Sequence, residues 1–206
     1  WSDMSRKIAH EIKNPLTPIQ LSSERLLKLI KSNQNNSEIK DCIETITRQV
    51  DEIGYLVNEF SNFARLPEPK LNKIEINNLL KQSISSFNTY KNIEIRTTIP
   101  NSEHYIIADI SQINRALQNL ILNAINSIDE SLEEKGIIDL KSYIDDDKYV
   151  SSIIDNGVGL KYEKDEILKP YFTTRKKTGG TGLGLSIVEK ILFDHQADFE
   201  IMNRSD

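Results

Sequence analysis

The sequence predicts an α+β protein in which a helical hairpin precedes a second domain that mixes helices and strands. Apolar residues in the first 66 positions recur at alternating steps of four and three, which is a helical pattern. Short β-branched runs alternate with helical periodicity in the remainder. The segment from Leu66 to Lys70 contains two prolines and separates the two patterns as a short linker. We therefore expect two domains, residues 1–66 and residues 67–206.

The second predicted helix carries a coiled-coil seam. Its apolar residues advance by alternating steps of four and three, namely Ile39, Ile43, Ile46, Val50, Ile53, Val57, Phe60 and Ala64. The first helix has apolar residues at similar steps, and the polar run Ser32 to Ser37 predicts the turn, with Ser37 as N-cap. Two helices bury too little surface alone, so we expect a dimeric four-helix bundle. Packing of a single hairpin on the rest of the chain is the alternative.

His10 is the predicted reactive residue of the first helix. Asn14 follows one turn later on the same face, and Glu11 lies beside His10. Pro15 has no N–H to donate to the carbonyl of Glu11, which predicts a looser helix here. A neutral imidazole is a nucleophile near pH 7, and a neighbouring carboxylate can accept its proton. A surface histidine on a kinked helix is the alternative, and a zinc protease is excluded because Asn14 replaces the second histidine.

The second domain is predicted to contain three helices and five strands. Asp109 and Gln112 have the spacing of a capping box at the start of the long helix. The glycine-marked, basic stretch from Gly157 to Gly182 predicts a long loop or lid. The predicted helices cover residues 77–87, 110–131 and 183–193, and the predicted strands cover residues 93–99, 104–107, 137–144, 148–154 and 199–202.

Three clusters in this domain indicate a nucleotide site. Asn119 and Asn123 lie one helical turn apart, and their amide oxygens suit Mg²⁺, although a solvated helix face is the alternative. The run Asp155 to Gly159 places a carboxylate at a strand end before two glycines, where it can accept from an exocyclic amine; a tight turn is the alternative. The run Gly179 to Ser186 opens a helix whose free N–H groups suit phosphates. It lacks the Gly-Lys-Ser/Thr of a P-loop and stands too late in the chain for a dinucleotide fold.

Composition limits the partners. The net charge of −5 argues against a surface that binds a nucleic-acid duplex, although it leaves room for local basic patches, and we expect no nucleic-acid partner. No apolar run approaches the ~20 residues of a membrane span, so we expect no membrane contact by this fragment. The single Cys42 cannot form an internal disulfide, which fits a reducing compartment. These observations predict a soluble, cytoplasmic piece.

Taken in order, the motifs resemble the sensor histidine kinases of two-component systems over nearly the whole chain. The corresponding boxes are His10 to Pro18, Asn119 to Asn123, Asp155 to Gly159, Tyr171-Phe172, and Gly180 to Gly184. Further runs are similar to the nitrogen-regulation branch of NtrY type, namely Ala9 to Ser22, Glu59 to Arg65 and Pro170 to Arg175. The order and spacing of the boxes make the resemblance far more specific than any single box.

The resemblance implies a dimerisation and phosphotransfer bundle, followed by a Bergerat-type (GHKL) α/β sandwich with helices on one mixed sheet. His10 would accept the γ-phosphoryl group of ATP, and Glu11 would act as the base. Asn14 would help position water when the receiver domain of a response regulator is dephosphorylated.

In the ATP-binding domain, the resemblance implies that Asn123 holds Mg²⁺ with Asn119 nearby. Asp155 would recognise adenine. Lys176 and Lys177 could offset phosphate charge, although exposed lysines often only solvate a surface. The further nucleotide-binding positions implied by the resemblance are Gly157, Gly159, Phe172, Lys177, Gly180, Thr181, Gly182, Leu183 and Gly184.

The chain departs from the family at both ends. It begins inside the first helix, so the resemblance implies sensory and membrane-spanning parts upstream and an inner-membrane location for the full-length protein. It stops at Asp206, where the family continues through a further strand, so the sheet is expected to lack its last strand.

Two other functions fit parts of the chain. A GHKL-type ATPase would carry a glutamate one turn before the metal-binding asparagine, where this chain has Asn119. A dimeric scaffold that binds nucleotide without phosphotransfer is the second, and the intact His10 and Glu11 argue against it. Labelling of the protein by ATP, with the acid and alkali stability of the label, would separate the three functions.

Overall fold

The computed structural model describes residues 2–31, 36–64, 66–87, 90, 92–131, 135–175 and 180–203. The chain divides into two compact units, residues 1–66 with 173–181 and residues 67–172 with 182–206. The elements are α1 (Ser2–Lys31), α2 (Asn36–Ala64), β1 (Asn72–Glu75), α3 (Ile76–Ser85), β2 (Ile93–Thr98), β3 (Tyr105–Ala108), α4 (Ile110–Asp129), β4 (Gly136–Asp145), β5 (Lys148–Asp155), α5 (Lys164–Ile167) and α6 (Gly184–Asp194).

In the first unit, α1 and α2 form an antiparallel hairpin, which confirms the predicted helix pair. Arg25 on α1 forms an ion pair of 2.8 Å with Glu38 in the first turn of α2. Cys42 is buried between the helices beside Leu21 of α1. Helix α1 continues through Pro15 and Pro18, so the missing proline N–H groups do not end it.

The predicted cap of α2 is wrong. Helix α2 begins at Asn36, so Ser37 lies inside the helix, where its backbone already has helical geometry. The predicted turn residues Ser32 to Asn35 lie outside the described residues. Among the helices that the structure describes, none is both long enough and apolar enough to span a bilayer.

Part of the apolar seam is exposed on the single hairpin. Ile43, Val50 and Val57 follow one another every seven residues on α2 and are 51%, 53% and 44% exposed. Helix α1 also exposes large apolar side chains, namely Leu16, Leu21, Leu27 and Ile30. A stripe of this kind is expected to be covered by another apolar surface.

The core of the second unit lies between α3, α4 and the strands. Leu80 of α3, Ile121 of α4 and Leu140 of β4 are each 1% exposed. Burying such a side chain fully contributes about 1.5–3 kcal/mol. The predicted apolar stripe of α4 is buried, because Leu117 and Ile128 join Ile121 in this core. One face of α4 is thereby committed to the core, and its other face is left for polar residues.

The resemblance implied a mixed sheet, and among the described residues β2, β4 and β5 form one, while β1 and β3 pair separately. In one sheet β1 pairs antiparallel with β3, and in the other β2 pairs parallel with β4, which pairs antiparallel with β5. The loop between β2 and β3 forms hydrogen bonds with the side chain of Asn77. Asn77 Nδ2 donates to the carbonyls of Pro100 (3.1 Å) and Ser102 (2.7 Å).

The predicted strand at residues 199–202 is also wrong. Lys164 Nζ donates to the carbonyl of Phe199 (3.1 Å), and no strand of the described chain pairs with this segment. Side-chain contacts therefore replace ladder hydrogen bonds there. Strand β1 was not predicted, because its four residues are too few to show a period. The short helix α5 lies within the predicted loop.

The start of α4 is capped by Asp109 as predicted, but the capping box does not close. Asp109 Oδ1 accepts from the N–H of Gln112 (3.1 Å). Gln112 Nε2 instead donates to the carbonyl of Pro67 (2.9 Å), and the N–H of Asp109 donates to His195 Nε2 (3.0 Å). Asp109 Oδ2 accepts from the N–H of Lys70 (2.8 Å). The linker segment and the end of α6 are therefore both bonded to the first turn of α4.

This network predicts a pH-dependent stability. The pKa of Asp109 is lowered from 3.8 to about 2, chiefly by the hydrogen bond from Ser111 Oγ. Because the folded pKa lies below the unfolded one, this stabilisation is present above pH 3.8 and is lost as the pH falls towards 2. We expect Asp109→Asn to lower the free energy of unfolding by about 1 kcal/mol at neutral pH, because its NH₂ would face the Lys70 N–H.

Urea unfolding followed by circular dichroism, repeated between neutral pH and pH 3, measures this effect. The deficit of Asp109→Asn relative to the unmutated protein should shrink as the pH falls. Asp147→Asn, an exposed carboxylate in the turn between β4 and β5, is the matched control. A deficit for Asp109→Asn that stays constant over this range would contradict the assignment.

Candidate functional site

Two carboxamides stand on the polar face of α4. Asn119 and Asn123 lie one turn apart and are both partly buried. Asn119 Nδ2 donates to the carbonyl of Arg115 (2.9 Å). Asn123 Nδ2 is buried and has no hydrogen-bond partner among the described residues. A buried polar group left without a partner costs about 1–3 kcal/mol, which indicates that a ligand completes this position. A half-turn of the amide would place the oxygen of Asn123 there, as a hard metal requires.

Helix α6 begins directly beside these carboxamides. A Cβ added to Gly184 would lie 3.1 Å from Asn119 Oδ1 and 3.8 Å from Asn123 Nδ2. The N-cap residue is Leu183, which is 1% exposed and makes no side-chain capping bond. The N-cap side chain therefore accepts from none of the first N–H groups of α6, and a helix N-terminus attracts anions. The amides and this helix end together suit a magnesium-bound phosphate group.

A glycine turn after β5 packs against α4, one helical turn beyond Asn123. Asp155 ends β5, and its Oδ1 accepts from the N–H of Gly157 (2.9 Å). A Cβ on Gly157 would lie 2.2 Å from Ser127 Oγ, so no other residue fits there. The N–H of Val158 donates to the carbonyl of Ser127 (3.2 Å). Because Ser127 follows Asn123 by four residues, one face of α4 contacts both the start of α6 and this turn.

A backbone hydrogen bond connects Tyr171, of the Tyr171-Phe172 motif, to Gly182, of the glycine run from Gly180 to Gly184. The N–H of Tyr171 donates to the carbonyl of Gly182 (2.8 Å), and the two residues have φ of +64° and +68°. A Cβ on Gly182 would lie 2.4 Å from the carbonyl oxygen of Phe172, so glycine is required. Burial raises the pKa of Tyr171 to about 12. Phe172 meets the ring of Tyr162 edge-on, with 5.0 Å between the centroids.

Among the predicted site residues that remain, Gly159 lies in the second unit, two residues after Gly157, and the others lie in the first unit or outside the described residues. His10 and Glu11 are on α1, and Asn14 is exposed on the same helix. Gly180 and Thr181 fall in the first unit, where the N–H of Gly180 donates to the carbonyl of Arg175 (3.0 Å). Lys176 and Lys177 lie outside the described residues.

Two residues that shape the site, Ser127 and Tyr162, were not predicted from the sequence. Ser127 continues the spacing of Asn119 and Asn123 by one more turn, and this period was a signal that could have identified it. Tyr162, which packs on Phe172, gave no signal in a loop without periodicity. The structure therefore places Gly157 and Gly184 against the face of α4 that carries Asn119, Asn123 and Ser127.

Two protein families match the chain. Residues 1–69 match the His Kinase A (phospho-acceptor) domain. Residues 108–206 match the histidine kinase-, DNA gyrase B-, and HSP90-like ATPase family. A helical hairpin that precedes an ATPase domain of this kind defines a histidine kinase core. The chain belongs to the sensor histidine kinases, and the resemblance read from the sequence is confirmed.

The similar proteins include members of the nitrogen-regulation branch. The chain is 38% identical to nitrogen regulation protein NtrY of Azorhizobium caulinodans over 98% of its own length and 27% of that protein. It is 39% identical to a putative NtrY-like sensor histidine kinase of Rickettsia typhi, over 100% of this chain and 34% of that one. The chain thus spans about a third or less of these relatives.

Solved structures agree with this assignment. The catalytic domain of histidine kinase ThkA is 31% identical, with a TM-score of 0.53, over 61% of this chain and 82% of that one. ThkA in complex with response regulator protein TrrA is 26% identical, with a TM-score of 0.68, over 95% of this chain and 55% of that one. The ATPase domain of the family implies that this chain binds ATP.

Proposed function

We propose that this chain is a kinase core that binds Mg-ATP, phosphorylates His10 and passes the phosphoryl group to an aspartate of a response-regulator receiver domain. The observation that carries the proposal is the buried Nδ2 of Asn123, which has no hydrogen-bond partner in the described part of the chain and lies close to Gly184 at the start of α6. We assign residues 1–66 to dimerisation and phosphotransfer and residues 67–206 to ATP binding. Two linker residues are bonded to the start of α4, since the N–H of Lys70 donates to Asp109 and the carbonyl of Pro67 accepts from Gln112, and this supports the boundary.

In the proposed ATP site each group has one task. Asn123, with Asn119 nearby, would hold Mg²⁺, which when bound neutralises phosphate charge. The N–H groups at the start of α6 bind phosphate oxygens. The Asp155 carboxylate, held by the N–H of Gly157, accepts a hydrogen bond from the exocyclic amine of adenine. The further residues that frame the nucleotide are Gly159, Phe172, Lys177, Gly180, Thr181, Gly182 and Leu183.

In the proposed transfer, a ring nitrogen of His10 attacks the γ-phosphorus of ATP. The new P–N bond forms as the P–O bond to ADP breaks, and the ring proton passes to Glu11. Phosphoryl transfer asks mainly for positioning and charge neutralisation, which these groups provide. Asn14 positions the water molecule that dephosphorylates the response regulator.

We propose that the hairpin pairs with a second copy of the chain. The exposed stripe of Ile43, Val50 and Val57 on α2 supports this dimer, because its seven-residue spacing is that of a helix-bundle seam. The ThkA–TrrA complex supports a response regulator as the second partner. We further propose that the whole protein is anchored in the inner membrane, with this core in the cytoplasm.

Incubation with γ-labelled ATP tests the proposed reaction. We expect a protein-bound label that is labile in acid and stable in alkali, as phosphohistidine is. A GHKL-type ATPase would instead release labelled phosphate without labelling the protein. A nucleotide-binding scaffold would bind ATP and do neither. Either of the last two results would overturn the proposed kinase activity.

The two asparagines of α4 are expected to differ in their effect. Asn123→Ala should raise the Mg²⁺ concentration for half-maximal ATP binding by about 10–100-fold, as loss of a metal-site residue commonly does. Asn119→Ala should raise it much less, because Asn119 already donates to the backbone of its own helix. Titration of Mg²⁺ at a fixed ATP concentration measures the effect of each variant. ATP binding in the absence of Mg²⁺ is the control. Equal effects of the two variants would contradict this assignment.

A further inference from the structure

The glycine turn after β5 has a second anchor that involves none of the proposed nucleotide contacts. The N–H of Leu160 donates to Asn203 Oδ1 (2.6 Å), and Asn203 Nδ2 donates to the carbonyl of Leu160 (3.0 Å). One side chain thus makes the pair of bonds that a neighbouring strand would make. Only a carboxamide carries a donor and an acceptor in this arrangement.

The residue before Leu160 is shaped for this contact. Gly159 has a φ of +69°, which side chains other than glycine rarely tolerate. A Cβ on Gly159 would also lie 2.9 Å from Asn203 Oδ1. Glycine is therefore favoured here by the backbone conformation, and a Cβ at this position would displace the Asn203 amide from its bonds to Leu160.

The turn is held from two sides. On one side, the N–H of Val158 donates to the carbonyl of Ser127 on α4 (3.2 Å). On the other side stands the segment 199–203, which Lys164 also ties down through the carbonyl of Phe199 (3.1 Å). The backbone that follows Asp155 is therefore positioned between α4 and this segment.

We propose that Asn203 is a positioning residue for the nucleotide, acting through Leu160 on the turn that receives the adenine ring. The inference rests on the proposed role of Asp155 in adenine recognition. Asn203 sets where the backbone of Gly159 and Leu160 lies relative to the Asp155 carboxylate. The N-terminus of α6 and Asn123, which serve the phosphates, do not depend on it.

The variants Asn203→Ala and Asn203→Asp test the inference. Asn203→Ala removes both bonds, and Asn203→Asp places a carboxylate against the carbonyl of Leu160. We expect each to raise the KM for ATP by about tenfold, since each hydrogen bond contributes modestly. The labelling rate at saturating ATP should not change. The ratio of the affinity for ADP to the affinity for GDP should become smaller. Met202→Ala, at an exposed position next to Asn203, is the matched control and should behave as the unmutated protein does.

The outcomes separate this inference from the proposed function. Failure of the unmutated protein to bind ADP would overturn the proposed function and, with it, this inference. ADP binding that both Asn203 variants retain at full strength would overturn this inference alone. A fall in the saturating rate to the same extent as the rise in KM would show a general structural role and would also overturn it.

Hydrogen exchange provides a test that does not depend on the folding of any variant. In the unmutated protein the amide of Leu160 should exchange slowly, because Asn203 Oδ1 accepts from it. The amide of Lys161, an exposed residue, serves as the reference in the same measurement. Exchange of the Leu160 amide as fast as that of Lys161 would overturn the inference.

Discussion

Replacement of His10 by glutamine is expected to abolish labelling of the protein by γ-labelled ATP while leaving ATP binding intact. Glutamine has no ring nitrogen with a free lone pair, so no P–N bond can form. Binding should survive because Asn123 and α6 belong to the second unit, whereas His10 lies on α1 in the first. Acid-labile label and ADP affinity, measured on the same preparation, report the two properties separately.

His104→Gln is the matched control for this experiment. His104 belongs to the second unit, where its Nδ1 lies 2.8 Å from the carbonyl of Ser102. This variant should retain the label, because His104 has a structural contact and no proposed chemical role. Residual acid-labile label in a folded His10→Gln protein would refute the assignment of His10 as the phosphoacceptor.

Glu11→Ala is expected to slow autophosphorylation by about 10²–10⁴-fold, the usual cost of losing a general base. Asn14→Ala should leave autophosphorylation largely unchanged, because an amide accepts no proton in that step. Its loss should instead prolong the lifetime of the phosphorylated regulator, since Asn14 is assigned to the hydrolytic water. The rate of label incorporation measures the first effect, and decay of purified phosphorylated regulator mixed with each variant measures the second.

Lys13→Ala, an exposed position between Glu11 and Asn14, controls for general damage to α1. It should change neither rate, and circular dichroism should show unchanged helix content in all three variants. Normal labelling by Glu11→Ala, or an unchanged or shortened regulator lifetime with Asn14→Ala, would refute this division of roles.

Features that depend on neighbouring residues could be predicted from the sequence. The hairpin followed from the apolar steps of α1 and α2, and the start of α4 from the cap at Asp109. The strand that ends at Asp155 followed from its β-branched run. The family followed from the order of the boxes. Helical period, capping and strand alternation are all set within a few residues, so a single chain displays them.

Other features depended on which distant segments meet. The capping box failed because the Asp109 N–H is donated to His195 and Gln112 Nε2 to Pro67, both far away in the chain. The strand expected at residues 199–202 failed because the described chain offers it no neighbouring strand. Hydrogen-bond groups take whichever partner the fold brings close, and local propensity does not specify that partner.

The candidate site divides in the same way. The sequence by itself determined which residues could serve a nucleotide: the carboxamides of α4, the carboxylate of Asp155 and the glycines that follow it. Only the tertiary structure decided that Asn123 Nδ2 lies near Gly184 with no partner among the residues that the structure describes, that Gly157 lies against Ser127, and that Asn203 holds Leu160. The physical reason is close packing, since a contact between segments tens of residues apart exists only once the core has set their distance.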